Sequence, residues 1–119
     1  MNKRKIGSFY EEKSCDFLIR DDYKILERNY RNRYGEIDII AEKNFELVFI
    51  EVKYRKTNNY GYGYEAVNKK KLLRIFNLAQ IYMQNKKFNN YKIRFDCMSY
   101  LDEELEWIKN MAWGDEIGF

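Results

Sequence analysis

Apolar side chains recur at spacings of three and four residues in two stretches of the chain, which predicts two amphipathic helices. They cover residues 5–20 and residues 68–85, and Asn68 is a favourable N-cap for the second. The apolar positions are Ile6, Tyr10, Phe17 and Leu18 in the first helix, and Leu72, Phe76, Ala79 and Met83 in the second. Each helix therefore has one side that can pack against a sheet.

Five other stretches are rich in β-branched and aromatic residues, or alternate between apolar and polar positions, and are predicted to be strands. They are residues 23–32, 35–41, 47–54, 91–98 and 104–109. Alternation is regular in the fourth, where Ile93 and Phe95 alternate with Arg94 and Asp96, so we expect a half-buried strand. The order of elements predicts an α/β fold, with a central mixed β-sheet of about five strands flanked by two helices.

The second and third predicted strands contain acids among their apolar residues. If residues 43–46 form the connecting loop, Asp38 lies opposite Glu51 and Glu36 lies opposite Lys53. A slip of one residue would move every isoleucine to the wrong face, so the apolar pattern favours this register. The mixed face of the second predicted strand would hold Glu36, Asp38 and Ile40, and its apolar face Ile37, Ile39 and Ala41.

Cross-strand carboxylates with Cβ atoms about 5 Å apart repel each other, and a divalent cation that prefers oxygen ligands would remove that repulsion. Asp38 and Glu51 are therefore candidate metal ligands. Lys53, on the same face as Glu51, could stabilise negative charge or a nucleophilic water. The alternative is a salt-bridge cluster of these three residues without a metal. On the first predicted helix Glu11 lies toward the apolar side, whereas Glu12 lies on the solvated side.

Composition limits the possible chemistry. With 119 residues, 45% of them hydrophobic, the chain is long enough for a single domain, residues 1–119. No stretch approaches the about 20 apolar residues of a membrane span, so we expect a soluble, cytoplasmic protein with no membrane partner. The absence of histidine excludes every mechanism that needs it. The spacing of Cys15 and Cys97 predicts two reduced, buried thiols.

The net charge is only +3, but the cations are unevenly distributed. Between residues 53 and 74 the single acid is Glu65. The cations of this stretch are Lys53, Arg55, Lys56, Lys69, Lys70, Lys71 and Arg74, and its tyrosines are Tyr54, Tyr60, Tyr62 and Tyr64. Such a mixture suits a phosphate backbone with stackable bases, and it equally suits a solvated loop and helix face.

The arrangement of Asp38 followed by Glu51-Val52-Lys53 resembles the metal-dependent PD-(D/E)xK nuclease superfamily. More closely, the segments GEIDIIA, LVFIEVKYR and YGYGYEAVNKKK resemble the small bacterial YraN family, which is related in fold to archaeal Holliday-junction resolvases. The resemblance implies a restriction-endonuclease-like core. Ile37 stands in the position of the proline in the superfamily name, and Tyr10 replaces a glycine frequent in the family.

The resemblance also implies roles for individual residues. Glu11, Asp38 and Glu51 would hold Mg²⁺ or Mn²⁺, and Lys53 would position the attacking water or stabilise the phosphate. Lys71 matches a family lysine that could touch a phosphate, with a solvated lysine as the alternative. The residues expected to bind nucleic acid are Arg55, Lys56, Lys69, Lys70, Lys71, Arg74 and Tyr62.

The function implied is an endonuclease that hydrolyses DNA, with branched DNA suggested by the resolvase likeness. Two cuts in opposed strands of a junction would favour a symmetric homodimer. One alternative is a nucleic-acid-binding module of the same fold that cleaves poorly. Another is an RNA-directed nuclease, because basic residues that contact the backbone do not distinguish the two sugars.

Overall fold

The computed structural model describes residues 3–56 and 69–111. In chain order the elements are α1 (Lys3–Arg20), β1 (Lys24–Asn32), β2 (Gly35–Lys43), β3 (Glu46–Arg55), α2 (Lys69–Lys86), β4 (Lys92–Leu101) and β5 (Glu104–Ile108). The predicted α/β fold is confirmed, with a five-stranded mixed sheet and two helices.

The strands lie in the sheet in their chain order, β1-β2-β3-β4-β5. Three of the four pairings are antiparallel, and only β3 and β4 run parallel. Parallel neighbours need a crossover connection, and α2 lies in the connection between these two strands. The crossover brings the start of α2 close to the C-terminal half of β3, where the candidate acid Glu51 lies.

Pairing of β2 with β3 follows the predicted register for the outer part of the hairpin. Ile40 lies opposite Phe49, and the ladder extends from the pair Ile39 and Ile50 to the pair Lys43 and Glu46. Asp38 and Glu51 come directly after its last pair. The ladder thus includes neither the predicted pair of Asp38 with Glu51 nor that of Glu36 with Lys53. On the other side of β2, Glu36 lies opposite Arg31 of β1 and accepts a 2.7 Å hydrogen bond from it.

Each face of the sheet has its own apolar core. The core under α2 includes Ile37, Ile40, Leu47, Phe49, Leu72, Ile75, Leu78 and Phe95. The core under α1 includes Tyr10, Leu18, Ile39, Ala41, Val48, Ile50, Met98 and Tyr100. The expected common face of Ile37 and Ile39 is therefore wrong, since the two side chains pack in different cores on either side of Asp38, beside the end of the ladder with β3.

The fourth predicted strand is not half-buried. Residues 95–100 of β4 are all buried, because β4 lies between β3 and β5 and is covered on both faces. Asp96, which alternation assigned to a polar face, is 0% exposed. Its carboxylate accepts hydrogen bonds of 2.8–2.9 Å from Arg94, Trp107 and the backbone of Asn110. These donors replace the water that the carboxylate loses on burial.

Two further expectations concern the thiols and the membrane. Cys15 and Cys97 are both free and buried, as predicted. Among the helices of the described residues, neither is long and apolar enough to cross a bilayer.

Candidate functional site

Glu51 is the centre of the candidate site. Its side chain is 13% exposed, and its Oε1 atom is 3.1 Å from the Lys53 ammonium and also accepts a hydrogen bond from Lys71. Its Oε2 atom is buried and has no hydrogen-bond partner among the described residues. A buried anionic oxygen without a partner is costly, so this oxygen is available to a hydrogen-bond donor or a cation.

Strand and helix geometry explain why these three side chains meet. Side chains alternate across a strand, so Glu51 and Lys53 share the face of β3 on which Phe49 packs under α2. Lys71 lies in the first turn of α2, next to Leu72, which is buried in the same core. The helix that covers this face therefore places a second ammonium over the carboxylate.

Asp38 is held by the backbone of the neighbouring strand. Its Oδ2 atom accepts a 2.8 Å hydrogen bond from the Val52 N–H, beyond the end of the ladder between the strands. Burial raises the pKa of the Asp38 carboxyl to about 6; the Val52 bond opposes this rise, and the nearby Glu11 and Glu51 carboxylates add to it. The Asp38 carboxyl is thus close enough to Glu11 and Glu51 to sense their charges.

Glu11 approaches from α1, as its predicted position on the apolar side requires. Its side chain is 16% exposed and lies 3.9 Å from the Arg28 guanidinium, whereas Glu12 is exposed. The charge of Glu11 acts on Asp38. The position of Arg28 beside Glu11 could not be predicted, because the packing distance between α1 and β1 is a tertiary feature.

Lys53 is partly buried beside these acids. Burial by itself would lower the pKa of its ammonium, but the attraction and hydrogen bond of Glu51 outweigh this effect, so the pKa is raised. Lys53 therefore remains a cation beside Glu51.

The fit of this group of residues to a divalent cation can be judged from their donor atoms. The Asp38 carboxylate lies near those of Glu11 and Glu51, and Oε2 of Glu51 is buried without a partner in the described part of the chain. Within residues 3–56 and 69–111, however, no group of three or more Asp, Glu or Cys side chains is arranged to hold a metal ion by itself. Magnesium usually keeps several waters and takes one or two carboxylates plus substrate phosphates. A metal held by these residues would therefore need an open site of that kind and not a closed cage.

A cavity of about 290 Å³ adjoins Glu51 between the start of β2 and α2. It is lined by Tyr34, Gly35, Glu36, Glu51, Lys71, Arg74, Ile75 and Leu78. Of the four residues predicted to form the metal and catalytic site, Glu51 lines this cavity, whereas Glu11, Asp38 and Lys53 are not among its lining residues. Lys53 is paired with Glu51, while Asp38 and Glu11 are coupled to the site by their charges.

Gly35 allows Arg74 to reach this cavity. Gly35 has φ of 135°, a conformation that favours glycine, and a Cβ atom added there would lie 3.2 Å from Cδ of Arg74. The contact between Gly35 and Arg74 was not predicted from the sequence. Tyr34 and Glu36, which also line the cavity, were not among the predicted binding residues and are recognisable only as neighbours of Gly35.

The predicted nucleic-acid-binding residues have different environments. Lys56, Lys69, Lys70 and Arg74 are exposed, and Arg55 is partly buried at the end of β3. Lys71 is bonded to Glu51 and is not a freely solvated lysine. Tyr62, together with Tyr60 and Tyr64, lies outside the described residues. Tyr54 stacks on Tyr10 with ring centroids 4.3 Å apart, so one face of its ring is already covered.

Comparison with known proteins gives a consistent set of relatives. The sequence pattern of Uncharacterised protein family UPF0102 matches residues 10–99. A UPF0102 protein of Fusobacterium nucleatum subsp. nucleatum is 66% identical over 119 residues, which is 100% of both chains. A UPF0102 protein of Persephonella marina is 40% identical over 87% of this chain and 90% of its own. A UPF0102 protein of Dictyoglomus thermophilum is 46% identical over 85% of this chain and 86% of its own.

Proposed function

This chain belongs to the uncharacterised protein family UPF0102, and we propose that it is a metal-dependent endonuclease that hydrolyses phosphodiester bonds in DNA. The observation that supports this most strongly is the Glu51 carboxylate, whose buried Oε2 atom has no hydrogen-bond partner among the described residues. Asp38 lies just across the diverging strands, and its pKa is raised in part by Glu11 and Glu51. A cation between these carboxylates would relieve their repulsion and satisfy the free oxygen.

The ligands of that cation would be Asp38 and Glu51, with Glu11 as a third ligand or support. When bound, Mg²⁺ or Mn²⁺ would supply a Lewis acid for the phosphoryl oxygens and would acidify a bound water. Asp38 is well prepared to act as a ligand, because its hydrogen bond from Val52 fixes the carboxylate at the point where β2 and β3 diverge.

Lys53 would act on the reacting phosphate. Its ammonium is fixed beside Glu51 and remains charged, since Glu51 raises its pKa. A cation in that position stabilises the negative charge that develops on the phosphorus-bound oxygens as water attacks, and it can orient that water by hydrogen bonding.

The substrate backbone would lie along the start of α2. Lys69, Lys70 and Arg74 are exposed there, and Arg74 also lines the cavity beside Glu51. Such side chains neutralise phosphates irrespective of sequence, so binding should weaken steeply with salt. Branched DNA as the preferred substrate, and a homodimer that cuts opposed strands, depend on the resolvase resemblance alone.

The second candidate is a nucleic-acid-binding module that does not cleave efficiently. The observation that favours it is that Lys53 and Lys71 both occupy Oε1 of Glu51, which partly neutralises the proposed metal ligand without any metal. A pure binding module, however, does not need a buried carboxylate oxygen without a hydrogen-bond partner.

The test is a cleavage assay on supercoiled plasmid, linear DNA, four-way-junction DNA and a single-stranded RNA, each with Mg²⁺ or Mn²⁺. We expect metal-dependent nicking of DNA by the wild type and by Glu12→Gln, which removes an exposed acid of α1. Asp38→Ala should abolish cleavage and retain binding. Activity of Asp38→Ala, or of the wild type in EDTA, would refute the mechanism. Binding without cleavage of any substrate would favour the second candidate. Cleavage of RNA alone would show that the substrate is RNA and not DNA.

A further inference from the structure

The two oxygens of Glu51 have unequal surroundings. Oε1 has an ammonium group on each of two sides, from Lys53 and Lys71. Oε2 is buried and has no hydrogen-bond partner among the described residues. A carboxylate that serves only as a structural salt bridge would gain more by sharing its donors between both oxygens.

The two lysines are attached to different parts of the fold. Lys53 lies two residues from Glu51 on the same strand, so the sheet itself places the two side chains on one face. Lys71 reaches Glu51 from α2, across the interface between helix and sheet. Its flexible four-carbon stem and 30% exposed side chain allow the ammonium to turn elsewhere without movement of the backbone.

A divalent cation on Glu51 would change the balance of charge at this point. Two ammonium groups already offset one carboxylate, and a further two positive charges within a few ångströms would repel both lysines. Both lysines have flexible stems and similar exposure, 33% for Lys53 and 30% for Lys71, but of the two Lys71 is the one that lines the cavity beside Glu51, so it is the one expected to leave.

The cavity beside Glu51 offers Lys71 another position. Lys71 and Arg74 are three positions apart on α2, so they lie on one side of the helix, and both line this cavity of about 290 Å³. An anionic phosphate group in the cavity would be contacted by both cations. Arg74 is held over Gly35 at its wall, independently of Glu51.

From these contacts we infer that Lys71 neutralises Glu51 through Oε1 when no metal lies on Oε2, and turns to a substrate phosphate when the metal binds. The inference rests on the proposed function. Lys71 thereby couples the two binding events, since metal binding releases a cation that can bind phosphate, and phosphate binding draws away a cation that repels the metal. By linkage, each ligand should increase the affinity for the other.

The first test measures Mn²⁺ binding by calorimetry in the absence of DNA. Lys71→Met removes the competing ammonium and should bind Mn²⁺ about 3- to 10-fold tighter than the wild type, as expected for loss of a partly buried ion pair. Lys70→Met is the matched control, because it removes an exposed lysine of the same helix turn. It should change the affinity less than about 2-fold. An affinity of Lys71→Met that is no higher than that of Lys70→Met would overturn the inference.

The second test follows the ammonium itself by NMR of ¹⁵N-labelled lysine, with the Lys71 Nζ signal assigned from its loss in Lys71→Gln. Addition of Mg²⁺ should shift the Lys71 signal and leave the Lys70 signal nearly unchanged. An unchanged Lys71 signal at saturating Mg²⁺ would also overturn the inference. Lys71→Gln replaces Lys71→Met in the calorimetry if the circular dichroism of the latter is not native.

The outcomes separate this inference from the proposed function. If the wild type binds no Mn²⁺, both fall. If Lys71→Met and Lys70→Met bind Mn²⁺ equally while the wild type cleaves DNA, the proposed coupling through Lys71 is wrong and the endonuclease proposal is unaffected. If Lys71→Met binds Mn²⁺ more tightly but the wild type cleaves no DNA, the competition between Lys71 and the metal is supported and the endonuclease proposal is wrong.

Discussion

Asp38 accepts a 2.8 Å hydrogen bond from the backbone N–H of Val52, at the point where β2 and β3 cease to pair. A side chain thus replaces a backbone carbonyl as the acceptor for the first N–H beyond Glu51. This bond keeps a partly buried acid next to Glu51 although burial and two neighbouring carboxylates oppose its ionisation. The protein retains an arrangement that costs stability, as is common at functional sites.

Asp38→Asn should stabilise the metal-free protein at neutral pH. The pKa of Asp38 in the folded protein is raised to about 6, so the ionised carboxylate lowers the free energy of unfolding, with its full effect above pH 6. The effect disappears at low pH, where the carboxyl is protonated in both the folded and the unfolded protein. The amide keeps an acceptor for Val52 and removes the charge. We expect a gain of about 2–3 kcal/mol at pH 7.5 that disappears toward pH 4, measured by urea denaturation.

Asp16→Asn is the control for that change, because Asp16 is an exposed acid of α1. It should alter the free energy of unfolding by less than about 0.5 kcal/mol at either pH. A loss of stability in Asp38→Asn at pH 7.5 would show that the ionised carboxylate is favourable in the metal-free fold, contrary to the raised pKa.

The buried ion pair between Arg94 and Asp96 of β4 should contribute to the stability of the fold and not to DNA cleavage. Asp96 is fully buried and bonded to Arg94, Trp107 and Asn110. Asp96→Ala would therefore remove the fully buried counterion of a largely buried guanidinium, whose remaining ion pair in the described part of the chain is with Glu46. The expected loss is about 3–5 kcal/mol in urea denaturation. Glu104→Ala, at an exposed position of β5, should cost less than about 0.5 kcal/mol. A loss below about 1 kcal/mol for Asp96→Ala would contradict this role.

Neighbouring glutamates of α1 provide a matched pair. Glu11 acts on Asp38, whereas Glu12 is exposed on the opposite side. Glu11→Gln should reduce metal-dependent nicking about 10- to 100-fold, the effect expected for a residue that supports metal ligands. Glu12→Gln should remain within about 2-fold of the wild type. The nicking rates are measured as initial velocities on supercoiled plasmid. Equal rates for the two variants would show that Glu11 has no role in cleavage.

Two glycines test the link between backbone conformation and the cavity. Gly35→Ala introduces a side chain at φ of 135° and forces Cδ of Arg74 away, so it should cost about 1–3 kcal/mol and weaken DNA binding. Gly7→Ala lies in α1 with no atom within 4 Å of the added Cβ, and it should stabilise the protein by about 0.5–1 kcal/mol. Denaturation and fluorescence anisotropy measure both. If Gly35→Ala leaves the DNA affinity unchanged, Arg74 does not contribute to DNA binding.

The outer hairpin could be predicted because its signal is local. Apolar residues on both strands fix which positions must face a core, and this places Ile40 opposite Phe49. The same rule fails at Ile37, which packs on the α2 side although it is two residues from Ile39. Alternation assumes continuous pairing, and at Asp38 the pairing with β3 ends.

The environment of Asp96 could not be predicted from alternation, since a polar residue in a strand is assigned to a solvated face. Its burial depends on donors from β5 and from Asn110, whose proximity is set by the tertiary fold. The partner of Lys71 was likewise unpredictable. Helical periodicity shows which side of α2 faces the sheet, but it does not show that the first turn lies over Glu51.

The most direct test of the central claim is the nicking rate of Glu51→Gln on supercoiled plasmid with Mg²⁺, measured beside its DNA affinity in Ca²⁺. Glutamine keeps the size of the side chain and removes the charge that would hold the metal. We expect nicking to fall by about 100-fold or more while DNA affinity stays within about 3-fold of the wild type. Nicking by Glu51→Gln at the wild-type rate would contradict the account.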